Sequence, residues 1–402
     1  LNNVRKYLGY NFILVQDIEF EDYDFEKEEN GWKPIGLDFD TAFIGNFNGN
    51  GHIISGLKSN GDSVAGLFGV NRGIITNLGT VNMKISLDNT SDTDMPVGGC
   101  IAGYNQGSIL SCYSSGIVNS DSRNTSFIGG IVGSNYGGLI SKCNSTCYIY
   151  GGNSSGGIAG INGGNIEECF FDGGIKGAKS SESQGGIAGI NQKNISNCYN
   201  IGLIVGNTYC GGLVGNNNFG LIEKCYNISE LDGNEYEGYI TGRNDGEIQY
   251  CYYLDINNKG GIGLGSGLAI KCTFEELKNP ETFTWFDFNR IWTMDGNSDY
   301  FFPHLSGLDM SVGKNILYID VTSLPEKTEY IEAQDSFDDK GLKITIYYNN
   351  GTTEKKDITE EMISGFDNTK VGPQTLTVSY GGKTATFDVE ITAKEVIAAH
   401  LS

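Results

Sequence analysis

"GGIAGINQKNISNCYNIG" occupies residues 185–202, and a near copy, "GGIAGINGGNIEECFFDGG", occupies residues 156–174. Each opens on a glycine pair, sets an asparagine two residues after a later glycine, and sets a cysteine seven residues beyond that asparagine. Aligned on this G-x-N step, the frame recurs at Gly69, Gly103, Gly133, Gly160, Gly189, Gly215 and Gly242. Successive spacings are 34, 30, 27, 29, 26 and 27 residues. Self-similarity at a near-fixed period marks a repeat architecture, and the question becomes which one.

Seven units suggest a propeller, but a blade needs about 40–50 residues for its strands. Helical repeats fail because no 3.6-residue apolar period survives the glycines. The L-x-x-L-x-L frame of leucine-rich repeats is missing. What remains is one coil of a parallel β-solenoid per unit, with strands of two to five residues joined at glycine corners. The crossover rule makes such a coil right-handed. At about 4.8 Å per rung, seven rungs span about 29 Å.

Composition agrees. The chain has 402 residues, 59 of them glycine and only 6 proline, which excludes collagen and proline-rich disorder. A net charge of −22 repels phosphate backbones and anionic membranes, so nucleic acid is excluded as a partner. The charge reads as solubility in an exposed setting or, alternatively, as attraction for calcium or a basic partner. No apolar run approaches the roughly 18 residues of a membrane span, and the opening "LNNVRKYLGYNFILVQDIEF" does not read as a secretion signal.

Stacked coils turn each repeated position into a column. Asn71, Asn105, Asn135, Asn162, Asn191, Asn217 and Asn244 form one. Asparagine tolerates a left-handed corner, and stacked amides donate each to the next. Leu67, Ile101, Ile131, Ile158, Ile187, Leu213 and Ile240 form an apolar column, and Ile75, Ile109, Ile140, Ile166, Ile195, Ile222 and Ile248 a second. Cysteines 112, 143, 169, 198, 225 and 251 form a further column, with Leu78 in the first unit marking the site as apolar. In-register side chains leave the backbone nearly parallel, about 4.8 Å apart, beyond the about 3.5–4.5 Å between Cβ atoms of a disulfide. These thiols are therefore expected free and buried, and the denatured, unreduced chain should titrate close to its ten cysteines. Cys100, Cys147, Cys210 and Cys272 lie off the column.

Beside the cysteines stand Tyr113, Phe170, Tyr199, Tyr226 and Tyr252. Neighbouring strand residues face opposite sides, so an inward cysteine sends this aromatic column outward. Two readings stay open: a ligand-facing ladder that stacks sugar rings, or a ladder covered by loops.

The pattern G-G-[IL]-x-G-x-N-x-G-x-I-x-x-C-Y resembles the GLUG repeat of bacterial surface and secreted proteins. "WKPIG" from 32 and "FNGNGHIISGL" from 47 fit the segment that precedes the first repeat, with Asn48 in place of the usual Asp. The resemblance covers roughly residues 1 to 307. It implies an extracellular β-helix and no particular activity, since such repeats occur in adhesin-like proteins and as accessory parts of secreted proteases. On this reading residues 1–62 cap one end, 63–257 carry the seven repeats, and 258–307 cap the other end. Thr273 and Glu276 make a capping-box start there, and Pro280 stops a short helix.

After residue 307 glycine thins and period-2 alternation takes over. Leu342, Ile344 and Ile346 share one face before a turn at Asn350-Gly351, and Leu376, Val378, Phe387, Val389 and Ile391 repeat the pattern. Leu317, Ile319 and Val321 alternate earlier. Residues 308–394 therefore read as a β-sandwich, with 395–402 as a tail. "GLKITIYYNNGTT" and "ISGFDNTKVGPQTLTVSYGGKTATFDV" resemble the group 3 bacterial immunoglobulin-like domain, which implies a spacer or adhesion module.

Chemistry-bearing motifs are sparse. The histidines are His52, His304 and His400, and no H-E-x-x-H occurs. "GNSSG" at 152–156 matches G-x-S-x-G only by chance, because it lies in a repeat corner rather than between strand and helix. Glu167, Glu168, Glu223 and Asp245 fall at sporadic repeat positions rather than in a converging pair. Asp295, Asn297 and Asp299 alternate like calcium ligands, but Tyr300 stands where an EF-hand needs glycine. The acidic run "EFEDYDFEKEEN" from 19 reads as a solvated loop. No catalytic residue and no cofactor is assigned, and calcium at Asp295, Asn297 and Asp299 is kept as the one metal candidate.

The expectation is an all-β protein: a right-handed parallel β-helix followed by an immunoglobulin-like sandwich. Its expected role is that of a non-enzymatic, monomeric, adhesin-like protein outside the bacterial cell or on its surface. The partner would be a host glycan or an extracellular protein. The alternatives are an accessory module of a secreted protease and a glycan-active β-helix enzyme.

Overall fold

A computed structural model describes residues 1–21, 23, 25, 31–87, 95–121, 126–256, 258–294, 300–308 and 314–394. The chain forms two compact units, residues 1–294 with 303–310, and residues 295–302 with 311–402. Among the described residues no helix is long and apolar enough to cross a membrane.

The first unit is a β-solenoid whose walls are stacks of parallel strands. The unit around residue 190 shows the plan. Ser183–Gly185, Ala188–Asn191 and Asn194–Ser196 each join a different stack, and Tyr199–Asn200 and Leu203–Val205 join a fourth, long sheet. Register is strict from coil to coil: Asn191 pairs with Asn217, Ile195 with Ile222, Tyr199 with Tyr226. The strands Gly79–Leu87 and Tyr113–Ser120 are longer than expected, because the long sheet is continuous in the early coils.

The asparagine column is a ladder inside the wall. Each Nδ2 donates to the next Oδ1, from Asn71 through Asn105, Asn135, Asn162, Asn191 and Asn217 to Asn244, at 2.7–2.9 Å. These residues lie in strands and do not supply the left-handed corner. That conformation belongs to the residue before the cysteine column: Asn77, Ser111, Lys142, Glu168, Asn197, Lys224 and Tyr250, at φ of 51–56°. The asparagine instead steadies its own turn, as where Gly164 N–H donates to Asn162 Oδ1 at 3.2 Å.

Both isoleucine columns and the cysteine column are buried in one core. All ten cysteines are free and buried. Each column thiol lies against the carbonyl two residues back, Cys169 to Glu167 O at 3.2 Å and Cys225 to Glu223 O at 3.1 Å. Burial pushes the Cys112, Cys198 and Cys251 thiols well up, since a water-free wall disfavours thiolate.

The segment before the repeats does more than cap. Asn11–Ile13 and Asn46–Asn48 extend the isoleucine stack, and Ile53–Ser55 and Lys58–Gly61 extend the long sheet. Phe12, Phe43, Phe47 and Phe68 pack together inside the first coils. At the far end Ile262–Gly265 and Ala269–Cys272 add further strands. The Thr273–Glu276 capping box forms, with Glu276 N–H donating to Thr273 Oγ1 at 3.2 Å and Thr273 N–H to Glu276 Oε2 at 2.7 Å. It opens a 3-10 turn, Glu276–Lys278, and Pro280 then starts a second, Pro280–Thr282, rather than simply ending a helix.

The second unit is a sandwich. One sheet holds Ile316–Ser323, Lys343–Tyr348 and Thr353–Asp357, and the other holds Glu329–Ile331, Lys383–Thr392, Gly372–Tyr380 and Ile363–Ser364. Among the described residues all its pairings are antiparallel except that of Glu329–Ile331 with Lys383–Thr392. Ile319, Ile344, Ile346, Leu376, Val378, Phe387, Val389 and Ile391 build its core, as the alternation required. The hairpin glycines Gly351, Gly381 and Gly382 all take positive φ.

Candidate ligand-binding face

The aromatic column exists, but most of it does not face a ligand. Phe170, Tyr199 and Tyr226 stack with near-parallel rings, 4.9 and 5.0 Å between centroids. Phe170, Tyr199, Tyr226 and Tyr252 are all buried. The reason is the segment after the last coil, which runs back along this flank. Trp292 packs on Tyr199 and Tyr226, and Phe283 on Tyr226 and Tyr252. Trp292 Nε1 donates to Asn197 Oδ1 at 3.3 Å, and Tyr226 donates its hydroxyl to Pro303 O. The ligand-facing reading is therefore corrected for these four rings: Tyr199, Tyr226 and Tyr252 bind the flank segment to the coils, and Phe170 is buried against Tyr199. Tyr113 alone stays open at 40% exposure, separated from the stack by Asn144 in the register.

The face that does meet solvent is the outer side of the long sheet, one strand further along each coil. The register there reads Lys58, Lys84, Ile117, Tyr148, Gly174, Leu203. Ile117, Tyr148 and Leu203 are 43%, 58% and 45% exposed. Two residues along each strand a second column reads Asn119, Tyr150, Lys176, Val205, and Tyr150 is 41% exposed. Between Tyr148 and Tyr150, Ile149 is fully buried in the core, so period-2 alternation fixes both rings outward.

Gly174 gives Tyr148 its posture. A Cβ on Gly174 would stand 3.0 Å from Tyr148 Cδ1 and 3.2 Å from Cε1. The ring therefore leans over the bare backbone of the next coil and leaves its other side to solvent. Ile117, Tyr148 and Leu203 thus form an exposed apolar band on this parallel sheet, and Tyr148 adds a hydroxyl to it.

At one end of the band lies a groove of about 400 Å³ lined by Glu21, Lys58, Asn82, Lys84, Gly116 and Ile117. A β-bulge shapes it. Pairing shifts between Ser114 and Gly116, with Asn82 at φ 52° and Gly116 at φ 133°. A Cβ on Gly116 would fall 2.2 Å from Met83 O, so the approach requires glycine.

The other candidates are dispersed. Asp295, Asn297, Asp299 and His400 lie outside the described residues, as do most of 22–30. His52 contacts Asp17 at 3.0 Å, and His304 is buried in the flank segment. Ser154 of G-x-S-x-G is buried against Asn153. Glu168, Glu223 and Asp245 pair with Lys142, Lys224 and Arg243 at 3.6, 3.9 and 2.7 Å. Asp172 is distinct, because burial alone pushes its carboxyl up to about 7.

Sequence reasoning missed Tyr148, Tyr150, Ile117 and Leu203. The signal was present in Tyr148-Ile149-Tyr150, a two-residue alternation outside the G-x-N frame on which the units were aligned.

Residues 323–391 match the family model of the bacterial Ig-like domain (group 3). The chain is 37% identical over 132 residues to halomucin of Haloquadratum walsbyi, covering 31% of this chain and 1% of halomucin. It is 42% identical over 77 residues to an exo-β-1,6-galactobiohydrolase of Bifidobacterium longum, covering 18% of this chain and 5% of that enzyme. The chain thus spans only a small part of these relatives. Among solved structures, a Bacteroides ovatus protein provisionally assigned as an immunoglobulin A1 protease aligns at TM-score 0.48 and 22% identity, over 77% of this chain and 90% of its own.

Proposed function

We propose that this chain is a glycan-binding protein of the bacterial surface or its surroundings, in which the solenoid presents the Tyr148 face and the Ig-like domain serves as spacer. The repeat units, with their resemblance to GLUG repeats, act as a rigid scaffold. The observation that carries the reading is Tyr148, more than half exposed and laid over Gly174 between Ile117 and Leu203. A sugar ring presents an apolar face that covers such a tyrosine, while its hydroxyls reach Asn119, Tyr150 and Lys176 in the neighbouring column. The stretch shared with a galactobiohydrolase and the Ig-like match both support a glycan setting outside the cell.

The test is a glycan array with the wild-type chain and Tyr148→Ala. The expected result is binding to at least one glycan class, weakened tenfold or more by the substitution, with unchanged melting. Binding that Tyr148→Ala leaves intact would place the ligand elsewhere and overturn this assignment.

A second reading, glycan cleavage, is favoured by the Glu21, Lys58 and Lys84 groove beside the band and by the name of the same relative. Release of new reducing ends from a polysaccharide panel, abolished by Glu21→Gln, would establish it.

A further inference from the structure

Two cysteines break the repeat frame together. Cys100 stands where the third to sixth units have Gly130, Gly157, Gly186 and Gly212, and Cys147 stands where the second, fourth and fifth have Gly116, Gly173 and Gly202. Those glycines exist to make room. A Cβ on Gly130 would meet Ser145 Oγ at 2.1 Å, one on Gly157 the Phe171 ring at 2.2 Å, and one on Gly186 the Asn200 side chain at 2.3 Å. The second unit gives up one bare position at Cys100, and the third gives up the other at Cys147. The two thiols that replace them touch, with Sγ atoms 3.5 Å apart across 47 residues of chain. Both are fully buried.

The geometry differs from that of the cysteine column. Column cysteines leave one wall in parallel, and each receives a backbone N–H on its sulfur, Cys169 N to Cys198 Sγ at 3.4 Å and Cys198 N to Cys225 Sγ at 3.3 Å. Cys100 instead follows the strand Val97–Gly99, and Cys147 precedes Tyr148–Gly151 in the long sheet. Their side chains converge from different walls, which is the approach a disulfide needs.

We propose that Cys100 and Cys147 form a disulfide when the chain folds in the presence of a disulfide donor, locking the second repeat unit to the third. One cysteine, as thiolate, attacks a donor disulfide and releases one donor thiol, giving a mixed disulfide. The second, deprotonated, attacks the protein sulfur of that bond and releases the second donor thiol. The protein loses two hydrogens and the donor gains them. Ser114 Oγ, 3.5 Å from Cys147 Sγ, can donate to this sulfur as it ionises. The bond forms while the coils close, because the finished interior shuts out the donor. The expectation of fully free thiols then holds for the column and fails for this pair.

The test is refolding of the full chain in a mixture of reduced and oxidised glutathione, then alkylation under denaturing conditions, digestion and mass spectrometry. The expected product is a single cross-linked peptide joining Cys100 to Cys147, with the other cysteines alkylated and titratable thiols two below the ten of the sequence. The oxidised wild type should melt above its dithiothreitol-reduced form, and Cys100→Ser should abolish that difference. Ten alkylated cysteines, or links among Cys143, Cys169 and Cys198, would overturn the proposal without any variant having to fold.

Discussion

Asn191 donates its side-chain amide to Asn217 at 2.9 Å and accepts from Asn162 at 2.9 Å, all three fully buried. Every bond in the ladder runs the same way. An interior gap therefore strands a donor on one side and an acceptor on the other, whereas a gap at Asn71 strands only an acceptor, on Asn105. Leaving a buried group unmatched costs about 1–3 kcal/mol. Asn191→Ala should lower stability by about 2–4 kcal/mol, and Asn71→Ala by roughly half as much. Urea midpoints for the two variants check this, and equal losses would show that the rungs act independently.

This ladder, the isoleucine columns and the cysteine column were legible because each is one residue type at one repeat position. A solenoid converts such periodicity directly into stacking. The sandwich core was legible for the same reason at period two. The fate of the aromatic column was not. Whether Tyr199 faces water depends on Trp292, which lies 93 residues onward in a segment with no repeat of its own. Alternation says which way a ring points and nothing about what later covers it. The left-handed corner was also misplaced, because Ser111, Lys142, Glu168, Asn197, Lys224 and Tyr250 share no side-chain chemistry, only backbone geometry.

The flank segment depends on Trp292, fully buried and packed on Tyr199, Tyr226 and Phe286. Trp292→Ala should cost about 3–5 kcal/mol, and the loss should be local. The coils keep their own ladder while residues 273–294 come away. Limited proteolysis should cut within that segment in the variant and not in the wild type, and protection in both would contradict the contact.

Two glycines on the candidate face separate stability from binding. Gly116 combines φ 133° with a Met83 carbonyl 2.2 Å from any added Cβ, so Gly116→Ala should destabilise by about 1–3 kcal/mol. Gly174 carries no such strain. Its methyl would press only on the Tyr148 ring at 3.0 Å, and an exposed ring can move. Gly174→Ala should therefore melt within a degree or two of wild type while weakening glycan binding severalfold. A Gly174→Ala chain that binds as well as wild type would show that the posture of Tyr148 is immaterial.

Asp172 supplies a pH dependence whose sign follows from its burial. Its carboxyl titrates near 7 in the folded chain, against 3.8 for the ordinary group. Below about pH 4 both folded and unfolded chains are protonated there, and the residue costs nothing. Between about pH 4 and 7 the unfolded chain releases the proton while the folded chain holds it, so stability falls as pH rises. Above about pH 7 both are ionised and the penalty levels off, at a few kcal/mol for a shift of roughly three units. Asp172→Asn removes the titration and keeps the shape. The variant should match wild type near pH 4 and exceed it by about 2–4 kcal/mol at pH 8. The difference between the two denaturation curves, followed across pH, isolates this group from every other carboxylate. A difference that stays flat from pH 4 to 8 would mean that Asp172 is solvated in the folded chain.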